Sequence, residues 1–595
     1  MVDVYVNDLK VSVPEGSMIL DAAKEAKVHI PTLCHLEGRD PLGACRVCVV
    51  EVKGARALVA SCSTPVSEGM EIYTNTKRVR KARATVVDFL LSEHDGNCQV
   101  CERNDDCELQ NVARDMGVTS IRFEGEKTAP HLDTSTPALI RDNSKCIKCR
   151  RCVTVCGQVQ HVGSLFPQKR GFETVIGPAI EMDLKDVACV QCGQCAAVCP
   201  VGAISEKSHI EGVWDAIENP SKFVIVQTAP AIRAALGECF DYPPGTLVTG
   251  KMVSALRQLG FDAVFDTNFS ADLTIMEEGT ELLTRLKKAL VDGEEAHLPM
   301  FTSCSPGWIK FAEYYYPDFL PNLSTCKSPQ QMFGAVAKTY YAEKIGKNPE
   351  DLIVVSVMPC TAKKFEAQRP EMNGSGITDV DYVLTTRELG KMIKQGGVGF
   401  HSLPEGEMDA PLGLSSGAAD IFANTGGVME AAVRTVYELV TGRELPLENL
   451  HIQPIMGLEG VKKATLKIEG CLPEWSFLEG VSLHVGVAHG LHNAGDILEL
   501  IKSGKETFHF IEVMTCPGGC IGGGGQPRFT TNEIREKRIA AIYAEDEGKT
   551  VRKSHENEQI QQIYREFLKQ PLGERSHHLL HTRYTPRSLV ETVTS

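Results

Sequence analysis

The first 75 residues carry short runs in which apolar and polar positions alternate. β-Strands are predicted for three of these runs, VDVYVNDLKVSV, RVCVVEVKG and MEIYTNT, and a helix is predicted for SMILDAAKEAKV. This combination indicates a small α+β unit. The segment from about 76 to 125 opens with an amphipathic helix, KRVRKARATVVDFLLSEH, which has Val86, Val87, Leu90 and Leu91 on its apolar side.

After about residue 215 the pattern changes to apolar strands that alternate with helical stretches. The strands include KFVIVQTAP, DLIVVSVMPC and TFHFIEVMTC, and the helical stretches include PAIRAALGE and KMVSALRQLG. Such alternation predicts α/β architecture with mainly parallel sheets. Beyond about residue 553 the chain turns polar and predicts a helix with an extended end. We interpret the histidines of RSHHLLH as surface or packing residues.

Composition and charge narrow the class of protein. A chain of 595 residues predicts about three to five domains, and 43% hydrophobic with 23% charged residues is typical of globular proteins. The formal net charge of −15 disfavours non-specific nucleic-acid binding, which needs a basic surface. We find no apolar run long enough for a membrane helix, no signal peptide and no twin-arginine signal. The expectation is therefore a soluble, cytoplasmic protein without nucleic-acid or membrane partners.

Cysteine content carries most of the chemical information. The chain has 22 cysteines, and 15 of them precede residue 200. Cytosolic thiols stay reduced, so clustered cysteines at short spacings indicate metal ligands rather than disulfides. Zinc and iron–sulfur clusters are the two candidates, and the spacing has to separate them.

The first cysteine group has the spacing C-x10-C-x2-C-x13-C. Three thiolates close together and a distant fourth indicate a plant-type 2Fe–2S site with altered spacing, whereas zinc ribbons usually show two C-x2-C pairs. Small residues in GACRVC let backbone N–H groups approach the sulfurs. This Cys34 group consists of Cys34, Cys45, Cys48 and Cys62.

The second group lies in HDGNCQVCERNDDC. Its spacing alone favours a zinc site with three cysteines and one histidine, but the neighbouring iron–sulfur groups favour a 4Fe–4S cluster with one histidine ligand. This His94 group consists of His94, Cys98, Cys101 and Cys107.

Two further groups repeat the spacing C-x2-C-x2-C-x3-C, and the second ends in Pro200. This is the signature of bacterial two-cluster ferredoxins, in which the fourth cysteine of each run binds the other cluster. One 4Fe–4S cluster is therefore predicted on Cys146, Cys149, Cys152 and Cys199, and the other on Cys189, Cys192, Cys195 and Cys156. Such clusters in series indicate an electron relay that serves a reaction elsewhere in the chain.

Three cysteine-bearing loops after residue 215 are the candidates for that reaction: TSCSPGW, MPCTAKKFE and EVMTCPGGCIGGGGQP. The second and third directly follow apolar strands, so their cysteines should lie at strand ends, where α/β sheets bind ligands. The glycine run 522–525 lets backbone pack tightly around a bulky cofactor.

These loops resemble the three signature motifs of the iron-only ([FeFe]) hydrogenases. The surrounding segments match as well, including QTAPAIR, DLTIMEEGTEL, SPQQMFG, TTRELGKMIK, IFANTGGVMEAAVR and KSHEN, so the resemblance covers essentially the whole chain. The first 205 residues also resemble the start of the large iron–sulfur subunit of respiratory NADH dehydrogenase. The family's cofactor is the H-cluster, a cysteine-held 4Fe–4S cubane joined through one thiolate to a two-iron site that carries CO, cyanide and an azadithiolate. The resemblance implies a two-lobed catalytic domain with this cofactor between the lobes.

The resemblance also assigns residues. It implies that Cys360, Cys516 and Cys520 hold the cubane, that Cys520 bridges to the two-iron site, and that Lys363 donates to a cyanide. Met358 and Met514 match methionines that line the pocket, and Pro230, Ser328 and Gln330 should lie nearby. The implied proton route to the surface runs through Glu278, Ser324 and Glu281.

One loop departs from the family pattern, which is commonly TSCCPGW, with the first cysteine as proton donor and the second as a cubane ligand. Here Cys304 takes the first place and Ser305 the second. Ser305 coordinates through oxygen, or the loop shifts so that Cys304 is the ligand, or the cubane is perturbed.

The predicted fold class is multidomain α+β and α/β. Five segments are expected: a 2Fe–2S ferredoxin-like domain at 1–78, a His-Cys₃ 4Fe–4S domain at 79–125, a two-cluster ferredoxin domain at 138–210, a two-lobed H-cluster domain at 215–570, and a C-terminal tail at 571–595. The expected cofactors are one 2Fe–2S cluster, three 4Fe–4S clusters and the H-cluster.

The function implied is reversible interconversion of H₂ with protons and electrons. The chain has no G-x-x-x-x-G-K-[ST] motif, so use of NAD(P)H requires a flavin- and NAD(P)-binding partner subunit. Ferredoxin and a small iron–sulfur subunit are further expected partners, and electron bifurcation is compatible with this arrangement. The alternative is a hydrogenase-like electron-transfer or H₂/redox-sensing subunit with a perturbed H-cluster, which Ser305 alone favours. A third interpretation, an iron–sulfur subunit of NADH dehydrogenase without a further domain, does not account for the sequence after residue 215.

Overall fold

The N-terminal unit is a five-stranded mixed sheet with one helix against it. The computed structural model describes residues 1–447 and 450–589. The sheet order is β2-β1-β5-β3-β4, with Val2 opposite Val13 in the first hairpin, and Val4, Val6, Ile19 and Ile72 form its core. The predicted α+β unit is confirmed. Its elements are β1 (Val2–Val6), β2 (Leu9–Val13), α1 (Ile19–Glu25), β3 (Val49–Val52), β4 (Val59–Ala60) and β5 (Glu71–Tyr73).

Helix α2 (Lys77–Glu93) confirms the predicted amphipathic helix. It begins at Thr76, whose hydroxyl accepts the Val79 N–H, and it buries Val87 against the cysteine-rich core while Phe89 on the other side stays exposed. A short 3₁₀ turn (Cys98–Val100) and helix α3 (Glu108–Asp115) complete this segment.

The two-cluster ferredoxin segment shows its sequence duplication in the backbone. Helices α4 and α5 each start after a residue in the left-handed region, Arg150 with φ 64° and Gly193 with φ 70°, so the two cysteine loops turn in the same way. The elements are β6 (Leu132–Asp133), β7 (Leu139–Asp142), α4 (Arg151–Thr154), β8 (Phe166–Gln168), β9 (Val175–Gly177), α5 (Gln194–Val198) and β10 (Ile204–Glu206).

Two four-stranded sheets organise the rest of the chain into two lobes. The first lobe has the order β12-β11-β14-β15 and is wholly parallel, and the second has the order β13-β18-β17-β16, in which only β16 is antiparallel. The predicted α/β architecture with mainly parallel sheets is confirmed. The strands are β11 (Phe223–Thr228), β12 (Ala263–Asp266), β13 (Met300–Phe301), β14 (Leu352–Met358), β15 (Tyr382–Thr385), β16 (Val461–Lys467), β17 (Ser482–His489) and β18 (Phe510–Met514).

Helices cover both sheets and bury their apolar sides in one large core in the first lobe and in two cores in the second lobe. They are α6 (Ile210–Glu218), α7 (Pro230–Arg233), α8 (Thr249–Leu259), α9 (Thr267–Lys287), α10 (Pro306–Tyr315), α11 (Pro329–Val336), α12 (Ala342–Ile345), α13 (Ala362–Ala367), α14 (Thr386–Gln395), α15 (Gly417–Asp420), α16 (Gly427–Thr441), α17 (Leu491–Lys502), α18 (Asn532–Gly548), α19 (Glu558–Ile563) and α20 (Glu574–Leu580).

The predicted helix PAIRAALGE is interrupted. Helix α7 ends at Arg233, and a 3₁₀ helix resumes at Leu236. Arg233 is fully buried and pairs with Asp266 and Asp420, 2.9 and 2.6 Å away. These tertiary ion pairs override the local helix propensity.

Helix α20 lies in the segment expected as a C-terminal tail, and it packs into the first lobe. Leu579 and Leu580 belong to that core, and the Lys327 N–H donates to the Leu580 carbonyl at 2.7 Å. Across the described residues, no helix has both the length and the apolar composition to cross a bilayer.

Candidate active site

The Cys34 group is assembled by the loop before β3 and the turn after β4. All four thiols are buried, and the sulfurs of Cys48 and Cys62 lie 3.4 Å apart. Cys34 interacts with both Cys45 and Cys62, and the backbone N–H of Ala44 points at its sulfur. Four thiolates this close repel each other, so a cationic iron centre is what this arrangement can bind.

The His94 group lies where α2 ends and along the following loop. Burial lowers the pKa of His94, so the imidazole is neutral and able to bind metal. The Gly96 N–H donates to its Nδ1 at 3.1 Å, and an Asp95 oxygen lies 3.4 Å from the same nitrogen. Cys101 and Cys107 lie close enough to interact, and Cys98 begins the 3₁₀ turn between them and His94.

The two ferredoxin repeats line two small cavities. Cys199 of the second repeat lines the first cavity, and Cys156 of the first repeat lines the second. The first ferredoxin cavity contains Cys146, Cys149, Cys152 and Cys199. The second ferredoxin cavity contains Cys156, Cys189, Cys192 and Cys195.

The N-terminal groups meet the first ferredoxin cavity. A Cβ added to Gly202 would lie 2.6 Å from the Cys101 sulfur, and the Cys107 sulfur lies 3.7 Å from the Pro200 carbonyl. Arg103 donates to the Cys199 carbonyl at 2.6 Å. Cys34 and Cys45 share the same buried core as the first-cavity cysteines.

The second ferredoxin cavity contacts the loops that carry Cys360 and Cys516. Gln194 donates to the Gly522 carbonyl at 2.9 Å, and the Thr361 hydroxyl donates to the Gln191 carbonyl at 2.7 Å. A Cβ on Gly524 would lie 2.1 Å from the Cys192 carbonyl oxygen, so the glycine run allows the two backbones to touch.

Cys360, Cys516 and Cys520 form a three-cysteine site between the lobes. Cys360 follows β14 by two residues and Cys516 follows β18 by two residues, so both lie at strand ends as the sequence indicates. The three thiols interact with one another and are enclosed. Burial raises the pKa of Cys360, and it raises that of Cys520 to about 12.

The three-cysteine site fits an iron–sulfur cubane. The Cys516 sulfur accepts the Gly524 N–H and the Gln194 side chain, and the Cys360 sulfur accepts the N–H groups of Ala362 and Lys363. The N–H bonds to these sulfurs favour the thiolate form, and a bound metal core would supply the positive charge that offsets the effect of burial.

Lys363 lies beside this site in a tight polar cluster. A single oxygen of Glu366, Oε2, accepts Lys363 Nζ at 3.0 Å, Ser328 Oγ at 2.9 Å and Gln330 Nε2 at 3.1 Å. Lys363 also donates to the Cys304 carbonyl at 3.0 Å. The opposite end of Gln330, its Oε1, is buried without a hydrogen-bond partner, so the cluster keeps one acceptor for a bound group.

The remaining predicted pocket residues lie on both lobes. Met358 ends β14 in the first core and Met514 ends β18 in the second, and both are buried. Pro230 opens α7, whose Ala231 carbonyl accepts the Gln526 side chain from the glycine-rich loop at 3.1 Å.

Cys304 faces the predicted proton route. Its thiol is enclosed and lies near Glu278, Lys363 and Cys520. Burial and the neighbouring Glu281 raise the pKa of Glu278 to about 8, so this carboxyl is protonated at neutral pH. The Ser324 hydroxyl lies within hydrogen-bonding reach of Glu278 and donates to Glu281 Oε2 at 2.9 Å.

Ser305 points the other way. Its hydroxyl lies 2.7 Å from the Thr515 hydroxyl and accepts the Thr515 N–H at 3.2 Å. Thr515 directly precedes Cys516. Ser305 thus contacts the residue that precedes Cys516, whereas the Cys304 thiol lies near Cys520 and Glu278.

The sequence interpretation missed two buried acids. Glu366 occurs three residues after Lys363 in the same loop, a spacing that places both on one face of α13. Glu512 is a lone charge inside the apolar strand β18, which is itself a signal of a special role. It accepts the Gly426 and Met429 N–H groups at 2.7 and 2.8 Å, at the start of α16.

Five family models match successive parts of the chain. Residues 222–524 match the iron-only hydrogenase large subunit, C-terminal domain, and residues 532–587 match the iron hydrogenase small subunit. The N-terminal matches are a 2Fe–2S cluster binding domain at 1–77, an iron–sulfur binding region of NADH-ubiquinone oxidoreductase-G at 83–122, and a 4Fe–4S dicluster domain at 145–203.

Whole-chain relatives agree with these matches. The NADP-reducing hydrogenase subunit HndD of Solidesulfovibrio fructosivorans is 52% identical, with 99% of both chains covered. Iron hydrogenase 1 of Clostridium pasteurianum is 40% identical, with 98% of this chain and all of the relative covered.

A solved structure supports the same assignment. Apo [FeFe]-hydrogenase HydA1 from Chlamydomonas reinhardtii superposes with a TM-score of 0.58 at 43% identity, over 64% of this chain and all of that one. Iron–sulfur domains thus precede a hydrogenase domain that carries all three cysteine loops. The chain belongs to the iron-only hydrogenases and is a catalytic subunit with an iron–sulfur electron relay.

Proposed function

We propose that this hydrogenase is the cytoplasmic H₂-converting subunit of an assembly in which a flavin-containing partner exchanges electrons with NAD(P)H. Its relative HndD is named a subunit of an NADP-reducing hydrogenase, and residues 83–122 match a region of an NADH-oxidising enzyme. The chain itself has no P-loop motif. Ferredoxin and a small iron–sulfur subunit are the further partners proposed, which makes electron bifurcation feasible.

The proposed cofactors are one 2Fe–2S cluster, three 4Fe–4S clusters and the H-cluster. The Cys34 group would hold the 2Fe–2S cluster, and the His94 group and the two ferredoxin cavities would hold one 4Fe–4S cluster each. The three-cysteine site would hold the cubane of the H-cluster. When bound, the H-cluster supplies the iron at which H₂ is split or formed.

The contacts between groups support an order for electron transfer. The His94 group touches the loop of Cys199 and so leads to the first ferredoxin cavity, and Cys34 and Cys45 lie in the buried core that also contains Cys107 and cysteines of both ferredoxin cavities. The second ferredoxin cavity lies against Gly522 and Gly524. Electrons would therefore enter or leave at either N-terminal group and cross both ferredoxin cavities.

The residues around the three-cysteine site supply charge and a proton path. Lys363 is a buried cation that can bind an anionic ligand of the cofactor, and Glu366 holds it in position. Burial raises the pKa of the Cys304 thiol, so it keeps its proton until a base is adjacent. Glu278, Ser324 and Glu281 would then pass protons between this thiol and the surface.

One observation carries the proposal: the three-cysteine site has Lys363 on one side and the second ferredoxin cavity on the other. A reaction site is thereby joined to a relay that continues to the N-terminal groups.

The test compares the isolated chain with the same chain purified together with its partners. After loading with iron and the two-iron site, the isolated chain should show CO and cyanide infrared bands and reduce an artificial dye with H₂. It should not reduce NAD(P)⁺, whereas the co-purified assembly should. Reduction of NAD(P)⁺ by the isolated chain at the rate of the assembly would overturn the proposal.

A further inference from the structure

His581 is a buried histidine in the polar C-terminal segment, although its neighbours His577 and His578 are exposed. Both of its ring nitrogens are engaged. Nδ1 lies 2.8 Å from the Thr325 hydroxyl, and Nε2 lies 3.1 Å from Glu277 Oε2. A histidine that only fills space in a core needs neither contact. The His581 ring therefore lies between two specific polar partners, Thr325 and Glu277.

Thr325 connects His581 to Glu281. The same hydroxyl that contacts His581 lies 3.2 Å from Glu281 Oε2, the oxygen that also accepts Ser324. A hydroxyl has one proton and can accept another, so Thr325 can donate to Glu281 or to His581. Glu281, Thr325 and His581 therefore form an unbroken hydrogen-bonded chain.

Glu277 is placed to balance charge on the imidazole. It is fully buried, and it accepts the Tyr564 hydroxyl at 2.6 Å, the Leu572 N–H at 2.8 Å and the Ser576 hydroxyl. Burial alone would raise its pKa, but the hydrogen bonds from His581, Ser576 and Tyr564 hold the pKa below the ordinary value. An ionised carboxylate beside a buried imidazole stabilises the protonated ring.

The cluster of Glu281, Cys326 and His581 is better suited to transferring a proton than to binding a metal ion. Ligand atoms of Glu281, Cys326 and His581 lie within 4.8 Å of one another, as a metal site requires. However, both imidazole nitrogens already face a hydrogen-bonding partner, so neither lone pair is free. Glu281 is likewise held by Arg285 at 2.7 Å.

We propose that His581 is a proton-accepting member of the proton route, loaded from Glu281 through the Thr325 hydroxyl and supported by Glu277. The inference rests on the proposed role of Glu281. In the transfer, protonated Glu281 gives its proton to Thr325 Oγ1 while the Thr325 hydroxyl proton passes to His581 Nδ1. A carboxylate and an imidazolium result, and the reverse transfer restores both groups.

The surroundings of His581 give this branch a way to solvent. The His577 ring stacks on it with 4.8 Å between ring centroids and is exposed. Glu277, Cys326, His577 and Tyr564 lie around Glu281 and His581, and Arg285 pairs with Glu281. Glu278 lies near Glu281, and Arg583 lies near His577. The C-terminal segment would thus provide a second point at which the proton route reaches solvent.

The test uses His581→Gln, which keeps a hydrogen-bonding side chain but cannot become a cation. Thr325→Val breaks the connection with little change of shape, and His578→Gln is the matched control on the exposed side of α20, the helix that ends directly before His581. Iron content and the CO and cyanide bands should be unchanged in all three. NMR of ¹⁵N-histidine-labelled protein without the two-iron site should show that the His581 ring exchanges its proton with solvent, and that Thr325→Val slows this exchange.

In the loaded enzyme, His581→Gln and Thr325→Val should each lower H₂ turnover about tenfold and alter its pH profile, which is less than the ~10²–10⁴ that positioned proton transfer contributes, because the main route stays intact. The His578→Gln control should not. Proton exchange at His581 that Thr325→Val leaves unchanged, or two variants with wild-type turnover and pH profile, would overturn the inference. Glu281→Gln separates the two proposals. Full turnover in this variant contradicts the whole proton route. Loss of turnover in this variant, together with normal turnover in the His581→Gln variant, contradicts only the branch through His581.

Discussion

The hydroxyl oxygens of Ser305 and Thr515 lie 2.7 Å apart, although 210 residues separate them in the chain. The Thr515 N–H also donates to the Ser305 hydroxyl, which ties the TSCSPGW loop to the loop of Cys516. Cys304, one residue earlier, faces Glu278 and Cys520 instead. Two adjacent residues of one loop therefore face two different parts of the site.

This geometry predicts different outcomes for two alanine variants. Cys304→Ala removes the thiol beside Glu278 and should lower H₂ turnover about 10²–10⁴-fold, with iron content and CO and cyanide bands retained. Ser305→Ala removes a hydrogen bond beside the three-cysteine site and should cost about 0.5–1.5 kcal/mol of stability. It should also alter the electron paramagnetic resonance signal of the cubane. Loss of iron from the Cys304→Ala variant would instead identify Cys304 as a cubane ligand.

Glu278→Gln tests the raised pKa of this carboxyl, about 8 against an ordinary 4.5. Between these values the unfolded chain is ionised and the folded chain binds the proton, so the stability that Glu278 confers falls as pH rises. The Gln variant should therefore gain stability relative to wild type from about pH 4.5 to about pH 8, measured by denaturant unfolding.

The same variant should lose turnover about 10²–10⁴-fold, because an amide cannot pass the proton on. A stability difference that stays constant with pH would show that Glu278 has an ordinary pKa. Unchanged turnover would remove Glu278 from the proton route.

Glu366→Gln should leave Lys363 as a buried cation without its carboxylate. Breaking a buried pair in this way costs about 3–5 kcal/mol, which thermal unfolding of the iron-loaded chain can measure. Glu533→Gln is the control, because Glu533 pairs with Lys537 on an exposed helix face, where such pairs contribute less than about 1 kcal/mol. Equal effects in the two variants would contradict the positioning role of Glu366.

Gly524→Ala should push the catalytic loop away from the second ferredoxin cavity. The added methyl group would lie 2.1 Å from the Cys192 carbonyl oxygen, so one backbone has to move, at a cost of about 1–3 kcal/mol. Electron exchange with an external dye should slow while the CO and cyanide bands persist. Gly548→Ala, with open space around its Cα, should change neither, and a Gly524→Ala enzyme with normal dye reduction would contradict the contact.

The local pattern of apolar and polar residues was sufficient to predict much of the fold. Helix α2 and strands β11, β14 and β18 occur where apolar periodicity predicts them, because burial on one face dictates that periodicity. The interruption after Arg233 was not predictable, since it depends on ion pairs to Asp266 and Asp420 from other parts of the chain.

The candidate site was likewise predictable from the sequence only in part. Cysteine spacing and strand-end positions indicated where Cys360 and Cys516 would lie. The roles of Glu366 and His581 were not visible, because each depends on partners that only the fold brings together. Thr325 and His581, for example, are 256 residues apart and yet lie in hydrogen-bonding contact.

The exchange of Cys156 and Cys199 between the two ferredoxin cavities has a consequence for how the protein is made and damaged. The second cavity has all four sulfurs only once residue 195 has been synthesised, and the first only once residue 199 has, so neither cluster can be completed before the second repeat is made. Oxidative loss of one cluster would likewise free the helix that carries a ligand of the other. The two centres would then be installed, and destroyed, as a pair.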